Sequence, residues 1–143
     1  MSESDLIIRV AARGDGVTGD GRHVPHAAPG DRLTGEGGLI HGPHHIDPPC
    51  RHFPLCGGCQ LQHLDDECLA RFVEDRVRGA LAGQGISAGV ILPAHISPPA
   101  SRRRASLRAG KFGRRLHFGF SSENSHRIVD MQMCSILHPG LFA

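Results

Sequence analysis

Hydrophobic and polar positions change rhythm several times along this chain. From residue 5 to residue 34 the apolar residues come in short extended runs. Leu6, Ile8 and Val10 fall on one side of the first run, with Ile7, Arg9 and Ala11 on the other. Gly14-Asp15-Gly16 breaks that run into a turn, because glycine reaches positive φ at no steric cost. Thr18 to Val24 brackets Gly19-Asp20-Gly21, and Asp-Gly between extended segments is a strong hairpin signal. Pro29-Gly30-Asp31 marks a further turn. Closely spaced strands with glycine corners predict a small, abbreviated β-barrel over residues 1–40.

Periodicity then disappears. Residues 35–63 hold three Cys and five His among repeated Gly and Pro, and 41–64 reads as a loop that needs an external organiser. From Asp65 a helical spacing takes over. Leu69, Phe72, Val73, Val77, Ala80 and Leu81 form one stripe, which predicts a core-facing helix over 65–82. Asp65 is the expected N-cap, Asp66 and Glu67 suit the positive end of the dipole, and Gly83 is the expected terminator. Gly85 to Ser101 reads as a Pro- and Ala-rich connection around a strand candidate, Val90–Leu92. Alternation returns with Ala105, Leu107 and Ala109, and again with Leu116, Phe118 and Phe120. Gly113-Arg114 between them predicts an antiparallel hairpin with one apolar and one polar face. Ile128-Val129 is the expected next strand, delivering Cys134. The fold class expected is therefore α+β, with residues 65–143 forming a helix and the start of a hairpin-based domain.

Composition sharpens this picture. The 143 residues include 19 Gly and 10 Pro but only six Phe and neither Trp nor Tyr, so large side chains for a core are scarce. The net charge of +2 hides an asymmetry. Residues 1–75 carry twelve Asp and Glu against six Lys and Arg, whereas 76–143 carry two against ten. No acid lies between Asp75 and Glu123, which points to a polyanion partner for the second half. Apolar runs of a few residues exclude a membrane-spanning helix. The acidic start lacks signal-peptide character, so a cytoplasmic monomer is expected.

The most specific feature is Cys50-x5-Cys56-x2-Cys59, with Gly57-Gly58 inside the tight pair and Cys134 far downstream. Thiolates two residues apart can grip one metal centre, and glycines between them let the backbone wrap closely. Without an export signal, structural disulfides are not expected. The residues alone leave two centres open, beside plain reduced thiols. A zinc ion could take the trio with His63 or Cys68, and an iron–sulfur cluster could take the trio with Cys134. In the cluster arrangement Cys68 is a small buried side chain on the helix. A ferredoxin-like carrier is disfavoured because the spacing is not C-x2-C-x2-C. His23, His26, His41, His44, His45 and His52 show no ligand spacing and read as surface residues.

Taken together, HFPLCGGCQLQH, SRRRASLRAG and HRIVDMQMCSIL resemble the N-terminal part of the RumA/TrmA-type RNA (uracil-5-)-methyltransferases, in particular their iron–sulfur branch acting on 23S ribosomal RNA. The resemblance runs from about Asp5 to Leu137. It implies a TRAM domain (an OB-like RNA-binding barrel), then a [4Fe-4S] loop, then a central domain. It also implies Cys50, Cys56, Cys59 and Cys134 as cluster ligands. The family's aromatic-Arg-polar-Arg motif stands here as Ser101-Arg102-Arg103-Arg104, without the aromatic. Arg102, Arg103, Arg104, Arg108, Lys111, Arg114 and Arg115 are the expected RNA-binding residues. Family members transfer a methyl group from S-adenosylmethionine to uracil through a C-terminal domain. That domain's glycine-rich turn and nucleophile motif are not in this sequence, so the chain alone is expected to be inactive. A stand-alone zinc-binding RNA-binding module is the alternative.

Overall fold

A computed structural model describes residues 3–142. The chain divides into two units that interleave in sequence. One combines Met1–Asp47 with His63–Ile96, and the other combines Pro48–Gln62 with Ser97–Ala143. The cysteine loop thus groups with the later hairpin segment, and the helix with the N-terminal strands.

In the first unit, β1 (Ile7–Val10), β2 (Gly16–Thr18) and β3 (His23–Val24) form an antiparallel sheet in that order. The predicted turns are in place, with Gly14, Gly21 and Gly30 at φ of 98°, 90° and 94°. β4 (Arg32–Leu33) and β5 (Leu39–Ile40) make a separate ribbon, the second strand lying in the stretch without periodicity. A single bridge, Leu6 to Arg32, links the ribbon to the edge of the sheet. No closed barrel forms among the described residues, which corrects that expectation. Strands of two to four residues carry too few ladder bonds to bring two edges together.

The buried face of β1 also differs from the simplest alternation. Ile7 and Ala11 are buried while Ile8 is 55% exposed. A register irregularity between Ile7 and Arg9 re-aims the strand there. Gly16 sits beneath Ile7, and a Cβ at that position would come within 2.8 Å of Ile7 Cγ2 and of Ala27.

Polar residues hold the rest of this unit together. Asp31 is fully buried; its carboxylate accepts the Ala28 amide at 2.7 Å and the Gly42 amide at 2.6 Å, and lies 2.7 Å from His45 Nδ1. His41 stacks on His45 with centroids 3.5 Å apart, and His44 Nδ1 lies 2.8 Å from Asp65. Three of the histidines read as surface residues are therefore structural partners. His23 remains exposed beside Asp15.

His63 is 1% exposed. Burial, with His45 and His26 nearby, pulls its pKa from 6.5 down to about 4. An unfolded imidazole takes its proton near 6.5 and this folded one only near 4, so the unfolded state binds more protons between those values. Stability from this group is complete above pH 6.5 and is lost as the pH falls towards 4, by about 3 kcal/mol in all. Urea midpoints followed by circular dichroism at pH 7, 6 and 5 check this: the fall is expected to be shallower in His63→Leu.

The helix α1 spans Asp66–Gly83, and the Asp65 side chain accepts the Cys68 amide as predicted. It ends slightly later than expected. Gly85, at φ 70°, takes the left-handed position, with Gly85 N–H donating to Ala82 O and Ile86 N–H to Leu81 O. Only Cys68 is buried along it, and Val73 and Val77 are 41% and 48% exposed. Of the stripe, Leu69, Phe72 and Leu81 are half-buried and Val73, Val77 and Ala80 exposed, so it is not the expected core-facing side. Val90–Leu92 is not a strand, and both end residues lie more than three-quarters exposed.

In the second unit, β6 (Arg108–Phe112) and β7 (Arg115–Gly119) pair in full register through the two-residue loop Gly113-Arg114. Residues 105–107 stay outside the strand. The apolar face of the hairpin turns outward, with Leu116 69% exposed and Phe118 44% exposed. The chain packs instead against the face that carries glycines. A Cβ on Gly119 would meet Val129 O at 2.2 Å, and one on Gly110 would meet Ile128 Cδ1 at 2.9 Å. Ile128-Val129 pairs with the end of β7 through Val129 N–H to Phe120 O at 2.9 Å, too briefly to count as a strand. Cys50, Ile128, Met131 and Leu137 are the buried apolar residues here.

Candidate metal centre and nucleic-acid interface

Local chain geometry in the second unit explains the two glycines between the paired cysteines. Gly57 N–H donates to Ser121 O at 2.9 Å, and a Cβ on Gly57 would lie 2.7 Å from that oxygen. A Cβ on Gly58 would lie 2.7 Å from the Phe120 ring. Cys56 bridges Ser122, and Glu123 N–H donates to Leu55 O at 3.1 Å. The cysteine loop is therefore held against the segment that follows β7, at a closeness only glycine permits. The Gly57 amide is engaged in that contact rather than aimed at sulfur.

Cys50, Cys56, Cys59 and Cys134 all line one recess, walled by Phe53, Phe120, Met131 and Met133. Burial pushes the Cys56 and Cys59 thiols up, and the other sulfurs of the group push in the same direction. The Gly58 amide at Cys56 and the Gln62 side chain at Cys59 act oppositely, favouring the thiolates. Leu137 N–H points at Cys134 Sγ from 3.5 Å. Several soft donors in an apolar pocket, with N–H groups directed at sulfur, suit a cationic thiophilic centre: four thiolates without one would repel each other. As they stand, no three His, Cys, Asp or Glu side chains among the described residues form a group that could hold a single ion. His63 and Cys68, the local zinc-ligand candidates, do not line the recess and belong to the first unit. Cys68 is 4% exposed, and burial raises its pKa to about 11, the inert state expected of a packing thiol.

Two supporting residues escaped the sequence reading. Gln62 Oε1 accepts the Cys50 amide at 3.2 Å, and His52 Nε2 accepts the Gln132 amide at 3.2 Å. Gln62 stands in the Cys-x-x-Gln spacing just after the tight pair, and that was its one visible signal. His52 had none.

The seven expected RNA-binding cations are all exposed, and none forms an ion pair among the described residues. They do not share one face. Register places Arg108 and Arg115 on one side of the hairpin and Lys111 on the other, with Arg114 in the turn. Arg102 lies over the Phe120 ring at 5.8 Å, and its Nε donates to Arg104 O.

Comparison with known proteins adds a family context. A Zymomonas mobilis protein named as an uncharacterized RNA methyltransferase is 48% identical over 136 residues, covering 95% of this chain and 34% of the relative. Proteins of the same description from Caulobacter vibrioides and Rhizobium meliloti are 36% and 34% identical, covering 97% and 99% of this chain. Its relatives are RNA methyltransferases by name. The chain spans only about a third of their length, 34%, 37% and 38% respectively. No family model matches the chain. No described helix is long and apolar enough to cross a membrane.

Proposed function

We propose that this chain is the RNA-recognition and iron–sulfur portion of an S-adenosylmethionine-dependent RNA (uracil-5-)-methyltransferase acting on 23S ribosomal RNA in the cytoplasm. The strands of the first unit are its TRAM-like, OB-related element. The methyl-donor site and the catalytic residues belong to the remaining two thirds of such a protein. The observation that carries this reading is the shared recess of Cys50, Cys56, Cys59 and Cys134. Cys50, Cys56, Cys59 and Cys134 would hold a [4Fe-4S] cluster through their thiolates. When bound, the cluster supplies a rigid node that ties the cysteine loop to the chain around Cys134. The zinc arrangement that takes His63 or Cys68 as its fourth ligand finds neither of them in the recess. The exposed, acid-free cations supply phosphate contacts.

Anaerobic purification of the full-length protein is expected to yield iron and acid-labile sulfide in equal amounts, with a brown chromophore. Stoichiometric zinc without sulfide overturns the cluster. In the same protein, Arg102→Gln, Arg103→Gln and Arg104→Gln combined are expected to weaken single-stranded RNA binding. The slope of log K against log salt should become shallower by about 2. An unchanged slope removes these arginines from the interface.

A further inference from the structure

The second unit holds an open pocket of about 380 Å³ that none of the readings above uses. Its lining includes Gln60, Ser106, Arg108, Phe120 and Asn124. Resting on the proposed RNA function, we infer that this pocket receives one unpaired nucleotide of the RNA.

The chemistry of the lining argues for this ligand class. Phe120 contributes a ring at the wall, with the Arg102 guanidinium over it at 5.8 Å, so a base that stacks there must displace that arginine. Gln60 and Asn124 each carry an amide that both donates and accepts, matching the alternating donors and acceptors of a base edge. Ser106 adds a hydroxyl. Arg108 is exposed, without an ion pair among the described residues, and available for a phosphate. The one acid in the lining is Glu123, next to Asn124 in the turn. A duplex cannot present a base to a pocket of this kind, so the RNA must be single-stranded or opened at this point. Phe120 also lines the cysteine recess, which places the bound nucleotide and the four thiols on one shared aromatic wall.

The test uses the intact protein and short fluorescent oligonucleotides, oligouridylate and oligoadenylate, read by anisotropy across a salt series. Gln60→Ala removes one amide, and Asn124→Gly removes the other while tolerating the φ of 53° at that position. The double variant is expected to bind single strands about 10-fold more weakly, the loss of two neutral hydrogen bonds, with an unchanged salt slope. It should also lose any preference between the two homopolymers. Arg108→Gln should make the slope shallower by about 0.7. If the double variant binds as tightly and as selectively as the wild type, the pocket is not a nucleotide site. Should that occur while the Arg102–Arg104 triple variant still weakens binding, the RNA-binding proposal stands and only this inference falls. If the wild type binds neither oligonucleotide, both fall. Weaker binding together with a lowered urea midpoint assigns Gln60 and Asn124 to folding and overturns the inference too.

Discussion

Replacing Cys134 by serine is expected to bleach the protein and unfold its second unit at much lower urea. Cys134 lies 75 residues beyond Cys59, and both line the same recess. A centre bound by both closes a long loop. The entropy removed from the unfolded chain by such a closure is worth about 4 kcal/mol. Little else compensates, because the buried apolar residues of this unit are Cys50, Ile128, Met131 and Leu137. The check is anaerobic iron and sulfide analysis beside a urea titration followed by circular dichroism. Cys68→Ser serves as the control and should keep both iron and sulfide. A Cys134→Ser protein with full iron, full sulfide and an unmoved midpoint would falsify the ligand set.

The second large effect belongs to the first unit. Asp31→Ala strips three partners at once: the Ala28 and Gly42 amides and His45 Nδ1. The carboxylate is fully buried, so water cannot replace it without opening the structure. Unsatisfied buried donors cost about 1–3 kcal/mol each, and the partners relax in part, so about 4 kcal/mol of stability should go. Asp31→Asn keeps a single acceptor oxygen and is expected to lose less than half as much. Equal losses for the two variants would show that the single oxygen kept by asparagine rescues nothing, and would overturn the ranking by acceptor count.

The contrast between what could and could not be read beforehand follows physical lines. Asp65 as N-cap, the Gly113-Arg114 loop and the turns at Gly14, Gly21 and Gly30 were legible, since each depends on residues close in sequence. Burial was less so. Helical spacing places Val73 and Val77 on one side of α1, yet spacing says nothing about whether another element covers that side. The hairpin reversed its expected faces because Gly110 and Gly119, which look like weak points in a strand, are where Ile128 and Met131 approach. Asp31 and His45 are fourteen residues apart and carry no local signature of their contact. Within the recess, the trio of cysteines was evident from spacing. Cys134 stood as one of several candidate fourth ligands until the resemblance favoured it, and the walls at Phe120 and Met131 came from coordinates alone.

The interleaving of the two units also has a consequence in time. A ribosome moving at about 5–20 residues per second makes Cys134 roughly 4–15 s after Cys59. The strands and helix of the first unit are complete, at Ile96, before the last sulfur exists. The nascent chain therefore carries three thiols with no closing wall until Cys134 and the segment around it have been made.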